Sequence, residues 1–140
     1  MTKNHLTTRT KNSTPLVAAS RIIAVGASAG GLEALKAFFS HLDKGDNNTY
    51  IVIQHLSPDY KSMMGELLAK STSLKIEQIK DNMEILPGRI YLIPPVNNLV
   101  ILNGMLHLLD KPKDQKLNLP IDMFLQSLAE FKQEQAIAVI

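Results

Sequence analysis

Residues 21–42 constrain this chain more than any other stretch, because an apolar run, a glycine-flanked serine and a helical period follow one another without a break. Arg21-Ile22-Ile23-Ala24-Val25 is continuous, rich in β-branched residues and closes at Gly26, as a strand buried on both faces of a parallel sheet does. Leu32, Leu35, Phe38, Phe39 and Leu42 then recur at three- and four-residue steps, which predicts an amphipathic helix. Between them lies Gly26-Ala27-Ser28-Ala29-Gly30, a G-x-S-x-G string. As a bare string it says little, but a strand before it and a helix after it are the context a nucleophile elbow requires. Gly26 and Gly30 are expected to permit the tight turn and keep space around the Ser28 hydroxyl. The turn Ala29-Gly30 and the helix starting near Gly31 are expected to offer free N–H groups and a positive dipole end to an oxyanion.

The same texture continues. Tyr50-Ile51-Val52-Ile53-Gln54 predicts a second strand, and Met63, Met64, Leu67 and Leu68 share one face of a second helix, with Asp59 as its cap. A third strand is expected around 74–79, and Pro87-Gly88 turns the chain into Arg89-Ile90-Tyr91-Leu92-Ile93. Leu99–Leu102 and Met105–Leu109 flank Asn103-Gly104, the pair that supplies positive φ for a type I′ hairpin. Pro120 suits the first turn of a helix with apolar face Ile121, Phe124, Leu125, Leu128 and Phe131, and 136–140 begins another buried strand. Strand-helix alternation implies a doubly wound α/β domain over 21–140, Rossmann-like in three layers, with a mostly parallel sheet and a β-hairpin insertion. Residues 1–20, rich in Thr, Asn and Ser and without an acid, read as a disordered tail.

Composition excludes more than it assigns. A formal net charge of +2 gives no field to recruit nucleic acid or an anionic membrane surface, and no apolar run is long enough for membrane insertion. With no cysteine there is neither a disulfide framework nor a thiolate metal site, which suits the cytoplasm. No cofactor or metal is expected.

A serine hydroxyl needs a base, and the chain has four histidines. His5 lies in the tail, His41 ends a helix where it can cap carbonyls, and His107 sits in the hairpin. His55 ends the second strand as Ser28 follows the first; if those strands pair, their carboxyl ends lie roughly 5 to 10 Å apart. Nearby Gln54, Ser57, Asp59 and Tyr60 either line a substrate cleft or form a solvated loop. A glycine-rich turn after a first strand also holds phosphates. Here the spacing is not G-x-G-x-x-G, His55 stands where a dinucleotide site has an acid, and the P-loop lysine is missing. A non-catalytic interaction module of the same fold is the remaining alternative.

These residues resemble the catalytic domain of the chemotaxis protein-glutamate methylesterases, the CheB type. Ile23-Ala24-Val25-Gly26-Ala27-Ser28-Ala29-Gly30-Gly31 is similar to the nucleophile segment, and Val52-Ile53-Gln54-His55-Leu56 to the histidine segment. The likeness runs on through 86–95 and 119–129. Leu32-Glu33-Ala34-Leu35 and Leu119-Pro120-Ile121-Asp122 are most similar to the branch fused to a receptor methyltransferase. The resemblance implies hydrolysis of glutamate γ-methyl esters on a chemoreceptor in a phosphorelay-linked pathway, with Ser28 as nucleophile and His55 as general base. It places the acid of the triad on an aspartate just past the strand that begins at Ala136, so the chain is expected to be C-terminally incomplete and nearly inert. Ala29 departs from the threonine or serine of many relatives.

Overall fold

The computed structural model describes residues 21–28, 30–54, 63–111 and 118–140. The expected tail, Ala29, His55 and the Asp59 cap lie outside the described residues.

Among these residues the strands β1 (Ile22–Ala27), β2 (Thr49–Gln54), β3 (Lys75–Gln78), β5 (Arg89–Leu92) and β8 (Ile137–Val139) form one parallel sheet in the order β3-β5-β2-β1-β8. The remaining strands, β4 (Met83–Glu84), β6 (Asn97–Leu102) and β7 (Met105–Asp110), make a small antiparallel sheet in the order β4-β7-β6. β2 shows why the large sheet is covered on both sides: all its residues are buried, and successive side chains alternate between two cores. Ile51 and Ile53 join Phe124 and Leu128 of the helix α3 (Pro120–Lys132), together with Leu99, Ile101 and Leu106 of the small sheet. Tyr50 and Val52 face the opposite way, against Leu35 and Phe39 of α1 (Leu32–Ser40) and Met64 and Leu68 of α2 (Met64–Ala69). The result is the expected three-layer, doubly wound arrangement. No helix among the described residues is long and apolar enough to cross a membrane.

The hairpin turn follows its chemistry, with Asn103 at φ 52° and Gly104 at φ 79°. The hairpin is longer than expected and joins the small sheet with β4, a strand the sequence reading does not anticipate. β4 has only a pair of residues, Met83 and Glu84, aligned by Leu106 and Met105 of β7, so it carries no period of its own. The exposed edge strand β3 carries Lys75 and Glu77, the latter also paired with Arg89; charges on an edge discourage further pairing. The Met63-Met64 pair, expected in the core, divides: Met64 is buried and Met63 exposed.

Candidate active site

Strand order decides where a site can form. From β1 the chain moves to β2 on one side, and after the small sheet α3 crosses back to deliver β8 on the other. Connections leaving in opposite directions open a crevice beyond the carboxyl ends of the strands. A cleft of about 590 Å³ lies there, lined by Ser28, Ala34, Phe38, Ile121, Val139 and Ile140 among others. Its walls are predominantly apolar, and Ser28 is among the residues that line it.

Ser28 is exposed and follows the last residue of β1 directly. Its carbonyl accepts two hydrogen bonds, from the Gly31 N–H and from the Gln54 side-chain Nε2, both at 2.9 Å. β1 and β2 pair in register from Ile22 with Thr49 to Ala27 with Gln54. The condition set for His55 as a partner, that the first two strands be neighbours, is thus met up to Gln54, the residue before it.

The glycines behave differently from expectation. Gly26 belongs to β1, which runs on to Ala27, and a Cβ there would stand 3.2 Å from Ile121 Cγ2. It lets α3 approach the strand rather than making a turn. At Gly31 a Cβ would meet Ala27 Cβ at 3.0 Å and the Ser28 carbonyl oxygen at 3.1 Å. Neither of these glycines has a positive φ. The Gly31 N–H, expected to be free for an oxyanion, is taken by the Ser28 carbonyl. At Gly30 a Cβ would find nothing within 4 Å, so neither space nor a positive φ demands a glycine there.

Gln54 is also corrected. It does not line the cleft; it is 6% exposed and its amide holds the Ser28 carbonyl. Its sequence signal is a polar residue ending a strand otherwise buried throughout. Ile121 and Val139, which wall the cleft, are missed as site residues because apolar helix and strand positions read as core. His41 and His107 stay away from Ser28: His41 Nδ1 lies 2.7 Å from the Ala37 carbonyl at the end of α1, and His107 Nδ1 lies 3.7 Å from Asp81 Oδ1. Asp122 sits in the first turn of α3, where a negative charge suits the helix dipole.

Residues 23–140 match the family described as CheB methylesterase. The chain is 30% identical over 124 residues to protein-glutamate methylesterase/protein-glutamine glutaminase 3 of Pseudomonas aeruginosa, covering 88% of this chain and 37% of that protein. To the protein-glutamate methylesterase/protein-glutamine glutaminase of Yersinia pestis bv. Antiqua it is 28% identical over 131 residues, covering 91% of this chain and 37% of the relative. Its structure is similar to the CheB methylesterase catalytic domain of Thermotoga maritima, with a TM-score of 0.73 and 27% identity, covering 87% of this chain and 67% of that one. The chain therefore spans little more than a third of the length of those curated relatives.

Proposed function

The chain belongs to the CheB methylesterase family, and from that premise we propose that it is the Ser28- and His55-bearing part of a cytoplasmic protein-glutamate methylesterase. The observation that carries the reading is the register of β1 with β2. It ends on Ala27 opposite Gln54, and the residues next in sequence to this last pair are Ser28 and His55, which supports their pairing as nucleophile and base. In the proposed reaction His55 takes the Ser28 hydroxyl proton as the oxygen attacks the γ-ester carbonyl of a methylated glutamate. The proton passes to the departing methoxide, releasing methanol and leaving an acyl-serine. Water, deprotonated by the same histidine, then releases glutamate and restores Ser28.

An apolar cleft beside the serine suits this substrate. A methyl ester is neutral and ends in a methyl group, whereas the product carboxylate is charged and poorly accommodated by apolar walls, which favours its departure. The partner is a methylated chemoreceptor or similar signalling protein, with a receptor methyltransferase, fused or separate, as the opposing activity.

The test is methanol release from a synthetic peptide carrying γ-methyl glutamate. The expected result is release above the spontaneous rate that Ser28→Ala removes; equal release by both proteins would refute the reading. Receptor capture with no Ser28-dependent methanol would favour the interaction-module alternative.

A further inference from the structure

β2 is buried from end to end, and its last residue is a primary amide with 6% of its surface exposed. Burying an amide is costly without partners, so the contact it makes at that position is informative. Gln54 Nε2 donates to the Ser28 carbonyl at 2.9 Å, and the Gly31 N–H donates to the same oxygen at 2.9 Å. A carbonyl oxygen has two lone pairs, and both are engaged here. The donors come from different elements, one from the neighbouring strand and one from the entry to α1. Together they fix the plane of the peptide that leaves Ser28. Holding that carbonyl holds the backbone of the nucleophile itself, and a reactive side chain keeps its productive geometry only when hydrogen bonds around it support its carrier.

We propose that Gln54 is a positioning residue for the nucleophile: its side-chain amide locks the Ser28 peptide and, as the residue before His55, ties the carriers of both groups to one hydrogen bond. The proposal rests on the esterase reading of Ser28. Gln54 touches no reacting atom in this role. Losing its donor leaves the serine present and the cleft unchanged but lets the peptide plane swing, so reactivity falls while binding persists.

The experiment is the kinetics of Ser28 acylation by a sulfonyl fluoride in the 140-residue chain, resolved into the inactivation rate at saturation and the apparent binding constant. Gln54→Met keeps the length and removes the donor; Gln54→Glu keeps the polarity and replaces the N–H with an acceptor. Each is expected to lower the saturating rate about 10- to 100-fold, with the binding constant within about threefold. Circular dichroism melts establish that at least one variant is folded, and that variant decides. A folded variant labelled at the wild-type rate would overturn the positioning role while leaving Ser28 as nucleophile. A loss confined to the binding constant would overturn it too. Wild-type protein that takes no label at Ser28 would instead refute the esterase reading, and the positioning role with it.

Discussion

Gly30 and Gly31 are adjacent, yet the structure predicts opposite outcomes for the same substitution. An added Cβ at Gly31 would lie 3.0 Å from Ala27 Cβ and 3.1 Å from the Ser28 carbonyl oxygen, where ordinary contact begins near 3.4 Å. Neither neighbour is the far end of a flexible side chain. Ala27 is fixed by its pairing with Gln54, and the Ser28 carbonyl is held by two donors. Relief requires β1 or the start of α1 to shift by a few tenths of an ångström, an overpacking cost of about 1–3 kcal/mol. Loss of glycine's freedom in the unfolded chain offsets about 0.4–1 kcal/mol of this. The net destabilisation of Gly31→Ala is about 1–2 kcal/mol, or roughly 3–8 °C in Tm for a domain of this size. At Gly30 nothing lies within 4 Å, so Gly30→Ala retains only the unfolded-state gain and melts at or slightly above wild type. Thermal unfolding of the wild type and both variants by circular dichroism compares them. A Gly31→Ala protein that melts with the wild type, or two variants equally destabilised, would refute this account of the turn.

Phe39 is fully buried, with edge-to-face contacts to Phe38 at 5.2 Å and Tyr50 at 5.6 Å between ring centres. Phe39→Ala should cost about 3–5 kcal/mol, read as a lower urea midpoint at unchanged slope. Burial, and then the hydrogen bond to Asp46 with that residue's charge, push the Tyr50 phenol up to about 12 from its usual 10. Its folded-state value is raised, so the stabilisation is complete below pH 10 and is lost as pH rises from 10 to 12. Absorbance titration of the wild type against Tyr50→Phe should show the Tyr50 phenolate appearing near pH 12; ionisation near 10 in folded protein would contradict it.

Much of this fold is legible residue by residue, and the gaps have a common origin. α1 announces itself because Leu35 and Phe39, four apart, both face one core. The hairpin is encoded in Asn103-Gly104, whose positive φ values are a local property. β4 was not legible, because Met83 and Glu84 are a strand only by virtue of Leu106 and Met105. Gly26 reads in sequence as turn chemistry, but its constraint comes from Ile121 across the chain. Gln54 reads as a loop polar residue until its amide is seen on Ser28. Ser28 itself was legible because strand, turn and helix are contiguous. What sequence could not supply is which distant side chains hold that turn in place, since tertiary contacts leave no period.

The central claim is that Ser28 is a nucleophile activated by His55, and covalent labelling followed by peptide mass spectrometry tests it most directly. Treatment with a fluorophosphonate should place a single adduct on the peptide containing Ser28, with none in Ser28→Ala and a rate lowered by about 10² or more in His55→Ala. An adduct on another residue, or labelling of wild type and Ser28→Ala at equal rates, would contradict it.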